Sequence, residues 1–273
     1  DFDTINEEIK RFNPQEIFLT TSINQFEYNW LRLGKEKKIF TRTFIDHWTN
    51  IKKRFLFGEE EIYPNVIYLI NKKAILLAVK EGLPKSILKI EENPYYEKIR
   101  NFKPSFSRMS FCSRFNINEE KKIILFISDD IKKSSLSKDL GFDEFTIIND
   151  IINSLMSIKK SNHLDLKKYF FLIKIHPKAE LNKYQDYMNF FKSLGIEFRI
   201  IRDFDPLVVN YFSDYVLGMF SNMVIESYLM NKKLLRIQTG ILIEDPLGFD
   251  ELNEVCIKKL EDLELSLIQL LEN

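Results

Sequence analysis

Short apolar segments alternate with amphipathic segments along almost the whole chain, and this alternation limits the fold more than any other feature. Segments such as Tyr169–Ile175 are almost entirely apolar, as expected of strands that are buried on both faces of a sheet. Segments such as 144–159 separate them and carry apolar residues at helical spacing. The pattern predicts parallel sheets covered by helices on both sides, which is the α/β class.

Two Rossmann-like domains are predicted from the place where the alternation weakens. Between about Ile90 and Glu120 the periodicity is poor, and Pro94 and Pro104 interrupt it, so we place the linker there. The division gives a shortened N-terminal domain at 1–105, which matches only the later part of a doubly wound sheet, and a full domain at 106–273. Within the second domain, 252–272 is predicted to be mostly helical. The chain begins at Asp1 and not at a methionine, so whether residues precede it stays open.

The charge balance excludes several classes of partner. Forty basic and forty acidic residues leave a formal net charge of zero, so nucleic acid is not expected as a partner and a phosphate site must be local. The two cysteines match no metal or redox spacing, and no metal site or cofactor is predicted. No apolar run has the length of a membrane span, and the amino end lacks signal character. We expect a soluble, cytoplasmic protein.

Two motifs in the second half indicate a site for a phosphate-containing ligand. His176 and Pro177 end an apolar strand, which places an imidazole at the carboxyl edge of the sheet, where ligands of open α/β folds bind. Ser221 and Asn222 stand between another strand and a helix, where free backbone N–H groups and the helix dipole favour an anion. Ser221 and Asn222 are equally the residues that simply cap a helix.

Further candidates follow from their positions relative to predicted strands and helices. Glu226 lies in the helix after Ser221 and can accept hydrogen bonds from ribose hydroxyls, or can be an ordinary exposed helical glutamate. Asp46 and His47 follow a first-domain strand and are candidates for the general base, with helix capping and a structural histidine as the alternatives. Ser128, with two aspartates after it, ends the first strand of the second domain and is a weaker candidate for contact with the ligand.

The order of these motifs resembles that of GT-B-type glycosyltransferases, a group that includes bacterial sialyltransferases and UDP-N-acetylglucosamine 2-epimerases. The first-domain segments that carry the resemblance are Thr43–Trp48, Arg54-Phe55, Tyr63–Tyr68, Glu81–Pro84 and Glu92–Pro94. In that group a Gly-Asn-Pro sequence usually precedes the crossing between domains, and Glu92 replaces the glycine here. The resemblance implies two Rossmann-like domains of the GT-B type.

The resemblance also implies roles for the second-domain residues. In bacterial sialyltransferases a His-Pro motif and a serine-containing turn hold the CMP part of the donor, and a helical glutamate contacts its ribose. By resemblance His176, Ser221 and Glu226 take these roles. Epimerases of the same architecture carry a Ser-Gly-Gly turn followed by paired glutamates, whereas this chain has Asn222 and Met223 after Ser221 and a single glutamate. That departure favours a transferase.

The sequence therefore leads to the expectation of a metal-independent glycosyltransferase. It would move a sugar from a CMP- or UDP-linked donor to a hydroxyl of a glycan or lipid-linked acceptor in surface polysaccharide or glycolipid synthesis. Asp46 or His47 would deprotonate the acceptor, and the Ser221 turn with His176 would meet the charge on the leaving phosphate. The alternatives are a nucleotide-sugar 2-epimerase or hydrolase, and a non-catalytic nucleotide-sugar-binding protein. Peripheral membrane association at the inner face and a homo-oligomer stay open.

Overall fold

The chain forms two compact α/β units. The computed structural model describes residues 2–20, 24–48, 50–133 and 136–272, and its units are Asp1–Pro94 and Tyr95–Asn273. The predicted fold class is confirmed. The boundary falls before the predicted 105/106 division, because aromatic residues just after Pro94 belong to the second unit. Tyr96 meets Phe249 with ring centroids 6.2 Å apart, and Phe106 meets Phe212 at 5.7 Å.

The first unit is built around a four-stranded parallel sheet. Its elements in chain order are α1 (Phe2–Phe12), β1 (Glu16–Leu19), α2 (Gln25–Glu36), β2 (Phe40–Ile45), β3 (Leu56–Phe57), β4 (Glu60–Glu61), β5 (Val66–Leu69), α3 (Lys72–Lys80) and β6 (Leu88–Ile90). The sheet order is β1-β2-β5-β6, and β3 pairs with β4 as a separate antiparallel hairpin. The four strands follow one another in sequence, so the sheet is wound in one direction only.

Alternating burial along these strands fixes which face of the sheet forms the core. Leu19 and Ile45 are buried, whereas Phe18 is 55% exposed. Helix α3 begins where Asn71 accepts a hydrogen bond from the Ala74 N–H at 2.9 Å, and its Ala74 side chain is fully buried. One sheet face thus supplies the core, and the other keeps aromatic side chains partly in solvent.

The second unit is built around a six-stranded parallel sheet. Its elements in chain order are α4 (Pro94–Arg100), α5 (Arg108–Phe115), β7 (Lys122–Ser128), α6 (Leu136–Leu140), α7 (Glu144–Lys160), β8 (Tyr169–Ile175), α8 (Tyr187–Leu194), β9 (Glu197–Ile201), α9 (Pro206–Phe212), β10 (Tyr215–Gly218), α10 (Asn222–Leu229), β11 (Lys233–Ile237), β12 (Cys256–Ile257) and α11 (Leu263–Glu272). None of the helices within the described ranges is long and apolar enough to cross a membrane.

The order of strands in this sheet creates a switch point. The order is β12-β11-β10-β7-β8-β9, so the chain winds outward from β7 to β9, returns to the other side of β7, and winds outward again from β10 to β12. This is the doubly wound Rossmann arrangement. Loops that leave β7 and β10 diverge to opposite sides of the sheet and open a crevice between them at the carboxyl edge.

Two sequence predictions about local structure are wrong in part. The stretch taken as a linker contains helices α4 and α5, and Phe111 of α5 is fully buried against Phe212, with ring centroids 5.0 Å apart. The predicted helix at 252–272 is helical only in its second half, because Cys256–Ile257 pairs with β11 as an edge strand. A strand of two residues is too short to show a period of its own.

Candidate functional site

A cleft opens at the carboxyl edge of the second unit's sheet. Its volume is about 580 Å³, and residues that follow β7, β8, β9 and β10 contribute to it. The lining side chains include Ser128, Asp129, Lys174, His176, Pro177, Arg202, Asp203, Ser221 and Asn222. The position is the one that the switch point predicts, and the volume is in the usual range for small-molecule sites.

His176 is held in one tautomer by the turn that follows β8. Its Nδ1 accepts a hydrogen bond from the Lys178 N–H at 3.2 Å, and its carbonyl accepts one from the Ala179 N–H at 2.9 Å. Because Nδ1 is an acceptor, the proton of the neutral ring lies on Nε2. The ring can therefore donate a hydrogen bond to an anionic oxygen in the cleft while its backbone stays anchored.

The loop between β10 and α10 brings the start of a helix close to the strand end. A Cβ placed on Gly218 would lie 2.6 Å from Val224 Cγ2, so glycine permits the close approach of α10 to β10. Ser221 occupies the N-cap position with an extended backbone, φ −74° and ψ 163°, yet its side chain makes no capping hydrogen bond. The buried Oγ of Ser221 has no hydrogen-bond partner. A serine that only capped the helix would use this oxygen, so the geometry favours a ligand-binding role.

Glu226 is a half-buried carboxyl group inside α10. Its Oε2 is buried without a hydrogen-bond partner. Burial, with a smaller contribution from the charge of Asp205, raises the pKa of Glu226 to about 7. An ordinary exposed helical glutamate would show neither property, so the ligand-binding alternative is the better supported of the two.

Asp129, at the end of β7, is the second carboxyl group with these properties. Burial is the main cause that raises its pKa to about 7, whereas the Phe220 N–H and the Ser221 hydroxyl favour its charged form and offset part of the effect. The Ser221 hydroxyl is close enough to act on this charge, but it makes no hydrogen bond of normal geometry. Asp129 Oδ2 is likewise buried without a partner. The neighbouring Ser128 is engaged, because its hydroxyl shares a 2.6 Å hydrogen bond with that of Tyr184.

Two cationic side chains line the cleft but serve mainly to hold its walls. Lys174 is buried, and its Nζ donates to the Arg202 carbonyl at 2.5 Å, which ties β8 to the end of β9. Burial lowers the pKa of Lys174, and the charge of Asp203 opposes this effect. Arg202 Nε donates to the Asp203 carboxylate at 3.0 Å. Sequence analysis did not single out Lys174 or Arg202, because lysine and arginine are too common in this chain to stand out.

Asp46 and His47 belong to the first unit and follow β2. Asp46 is exposed, and His47 is half-buried with its ring stacked on Trp48 at a centroid distance of 5.0 Å. The Trp48 N–H donates to His47 Nδ1 at 3.1 Å. Burial first, and then the charge of Arg54, lower the pKa of His47, and Asp46 opposes them. The neutral imidazole that results near pH 7 is the form a general base requires.

The first unit also has a groove that sequence analysis missed. Its volume is about 520 Å³, and it lies along the partly exposed face of the sheet. The lining residues include Phe18, Arg42, Phe44, Tyr68 and Glu91. Phe18, Arg42, Phe44 and Tyr68 come from neighbouring strands, so only the register of β1, β2 and β5 brings them together, and Glu91 follows β6.

The structure thus gathers five of the predicted ligand-binding residues around the second unit's cleft. His176, Pro177, Ser128, Ser221 and Asn222 line it, with Asn222 exposed at the start of α10. Glu226 lies one turn further along the same helix. The residue that sequence reasoning undervalued is Asp129, which follows Ser128 directly.

Two Rossmann-like units with a crevice at the carboxyl edge of the second sheet define the GT-B-like class of fold. The chain is similar to many solved structures, and three of them serve as examples. A Listeria monocytogenes protein assigned as a UDP-N-acetylglucosamine 2-epimerase matches with a TM-score of 0.63 at 14% identity, over 100% of this chain and 70% of that one. The Neisseria meningitidis UDP-N-acetylglucosamine 2-epimerase bound to UDP-N-acetylglucosamine matches with a TM-score of 0.59 at 13% identity, over 99% of this chain and 72% of that one. Anabaena HepE in complex with UDP matches with a TM-score of 0.56 at 13% identity, over 98% of this chain and 71% of that one. No protein-family model and no curated protein sequence matches the chain.

The comparisons correct the functional expectation drawn from the sequence. The expectation of a glycosyltransferase is wrong, because the solved structures that resemble the chain include UDP-N-acetylglucosamine 2-epimerases from four organisms. The sialyltransferase-like grouping is not supported either. The comparisons support the GT-B-like fold. The physical reason for the error is that any enzyme that breaks the bond between a sugar and its nucleotide must stabilise the departing phosphate, so the motifs around His176 and Ser221 do not distinguish among them.

Proposed function

We propose that this protein binds a UDP-linked N-acetylhexosamine through the cleft of its second unit and epimerises the sugar at C2. The observation that carries the proposal is the convergence, at the switch point, of the start of helix α10, a Ser221 hydroxyl that makes no hydrogen bond of normal geometry, and the Nε2–H of His176. These are three donors suited to a diphosphate. Glu226 adds a buried acceptor suited to ribose hydroxyls. The 2-epimerases of the same fold support the choice of reaction.

A 2-epimerase needs a site for the nucleotide-sugar but no site for a second substrate, because the whole reaction takes place on one molecule. The hydrogen at C2 of the sugar is hardly acidic, and it becomes removable as the C1–O bond to the nucleotide breaks and a C1=C2 double bond forms. The departing diphosphate takes the electron pair of the C1–O bond, and a base takes the C2 proton. Return of the proton to the opposite face and re-addition of the diphosphate at C1 complete the inversion. The donors around Ser221 and His176 would stabilise the departing diphosphate.

The test is to incubate the protein with UDP-N-acetylglucosamine alone and follow the sugar by proton NMR. A 2-epimerase produces the C2-inverted UDP-sugar. Release of free sugar together with UDP would instead show the hydrolytic alternative, which uses the same pocket. If the donor binds but neither change occurs, the proposed reaction is contradicted and a nucleotide-sugar-binding role remains.

His176→Ala is expected to weaken the binding of UDP roughly 10-fold or more. The substitution removes a hydrogen bond to a charged oxygen, which is worth about 1.5–3 kcal/mol. The dissociation constant is measured by isothermal titration calorimetry. The matched control is His163→Ala, which removes an exposed histidine of the same unit and should leave binding unchanged. Equal affinities for wild type and His176→Ala would remove His176 from the site.

Asp46 and His47 are proposed as proton-transfer residues of the reaction, since His47 is kept neutral near pH 7 and Asp46 is the carboxylate next to it. His47→Gln is expected to lower kcat roughly 100-fold, the usual contribution of a general base. The affinity for UDP should stay within about 2-fold of the wild type, because UDP lacks the atoms from which protons are taken. A loss of UDP affinity equal to the loss of kcat would contradict the assignment.

A further inference from the structure

Asp129 lines a cleft that is proposed to bind an anion, and as a carboxylate it would repel that anion. It lies at the end of β7, next to the loop that carries Ser221, and both residues line the same cleft. A diphosphate bound at the start of α10 would therefore meet a carboxyl group at short range. Two negative groups in contact repel each other strongly when they are shielded from water.

The carboxyl group has no counterion that would remove this conflict. Within the part of the chain that the structure describes, no ion pair involves Asp129. The cations of the cleft are directed elsewhere, Lys174 to the Arg202 carbonyl and Arg202 to Asp203. Glu144, at the start of α7, adds a further negative charge that acts on Asp129, although two backbone N–H groups bind that glutamate.

The other charged groups around the cleft do not change this balance. His176, directly after β8, lines the cleft, whereas Glu226 on α10 and Asp130 on the same loop as Asp129 are outside its lining. The Phe220 N–H and the Ser221 hydroxyl act on Asp129 and favour its charged form, but its buried Oδ2 makes no hydrogen bond of normal geometry. A neutral carboxylic acid would remove the repulsion and supply one O–H donor, whereas a carboxylate can only accept.

We propose that Asp129 binds the diphosphate of the ligand as a carboxylic acid, whose O–H donates a hydrogen bond to a phosphate oxygen. This inference rests on the proposed function, since it places a nucleotide diphosphate in the cleft. Where the free carboxyl group is ionised, ligand binding then takes up a proton at Asp129. Affinity consequently rises as the pH falls, because the free protein must gain that proton before or during binding. The free carboxyl group titrates near neutral pH, with a pKa of about 7, so the proton is available under ordinary conditions.

The experiment measures the dissociation constant of UDP-glucose at pH 6 and pH 8 by calorimetry. UDP-glucose is chosen because its diphosphate has no ionisation between these values. For the wild type we expect binding roughly 10-fold weaker at pH 8 than at pH 6. Asp129→Asn, which mimics the neutral acid, should bind at pH 8 roughly 10-fold more tightly than the wild type and should lose most of the pH dependence. Asp130→Asn is the matched control and should behave like the wild type.

A second set of variants, all carrying His176→Gln, separates the effect of the cleft histidine from that of Asp129. Protonation of an imidazole also favours phosphate at low pH, so the comparison is repeated in His176→Gln, where the effect of Asp129→Asn on the pH dependence should persist. If Asp129→Asn binds more weakly at both pH values, Asp129 acts as a carboxylate and the inference is overturned, while the proposed function stands. If UDP-glucose binds to no variant at either pH, both the inference and the proposed diphosphate site fail.

Discussion

Asp245→Ala should lower the free energy of unfolding by about 3–5 kcal/mol, because it leaves a buried guanidinium without its partner. Arg236, on β11, is fully buried, and one of its terminal nitrogens lies 2.8 Å from Asp245. Gln238 and the Leu247 N–H also donate to this carboxylate, at 2.9 and 3.0 Å. The substitution removes the acceptor of all three donors at once. Urea denaturation followed by circular dichroism measures the loss.

The same pair supports the candidate site. Arg236 Nε donates to the Met219 carbonyl at 2.9 Å, and Met219 stands two residues before Ser221. We therefore expect Asp245→Ala to weaken UDP binding as well. A double variant, Arg236→Met with Asp245→Leu, should recover much of the stability but not the binding, since an apolar pair fills the space without holding the loop. A loss below about 1 kcal/mol in the single variant would contradict the assigned role of the pair.

The pH dependence of this contribution follows from the direction of the pKa shift. Burial alone would raise the pKa of Asp245, but the hydrogen bond and charge of Arg236, together with Gln238 and the Leu247 N–H, lower it below the ordinary value. A lowered folded-state pKa gives stability that is present above the unfolded value of about 4 and is lost as the pH falls through the folded pKa. The wild type should therefore lose stability in acid more steeply than Asp245→Ala.

Gly141→Ala is expected to destabilise the second unit by about 2–4 kcal/mol, the combined cost of a left-handed backbone and overpacking. Gly141 has φ +84°, and a Cβ there would lie 2.5 Å from the Gly240 carbonyl oxygen and 2.6 Å from Leu242 Cγ. The first of these atoms belongs to the backbone and cannot move aside. The Leu242 N–H also donates to the Leu140 carbonyl at 2.9 Å, so the two segments are fixed to each other.

Gly195→Ala is the matched control for this prediction. Gly195 has a similar φ of +79°, but a Cβ there would only reach ordinary contact with Lys167 Cγ, at 3.5 Å. Gly195→Ala should lower the free energy of unfolding by about 1 kcal/mol, the strain of the left-handed conformation alone. The difference between the two variants in chemical denaturation isolates the clash. If the two glycines respond equally, the close approach at Gly141 is not the cause.

Local structure was largely predictable because each strand carries its own signal. The strand predicted at Tyr169–Ile175 has the bounds of β8, and Pro206 stands at the start of α9. Apolar runs buried on both faces and a proline at a helix start are local properties of the chain. Pairings between distant segments leave no such signal, which is why β12 was missed.

The choice among residues of one motif was decided by tertiary structure. Ser128 and Asp129 are neighbours in sequence, yet the hydroxyl of Ser128 pairs with Tyr184 while Asp129 Oδ2 is buried without a partner. Likewise the sequence could not distinguish a capping Ser221 from a ligand-binding one. Which polar atom is satisfied depends on side chains that come from other strands and helices.

The sequence by itself determined the α/β class, most strands of the second sheet and the position of His176, Ser221 and Glu226 at strand ends or helix starts. These follow from hydrophobic periodicity and from local backbone preferences, which act over a few residues. Only the tertiary structure decided that β10 lies beside β7, which brings Asp129 to Ser221, and burial is the main cause of the raised pKa values of Asp129 and Glu226. Strand order and desolvation depend on contacts between segments far apart in the chain, and no local pattern encodes them.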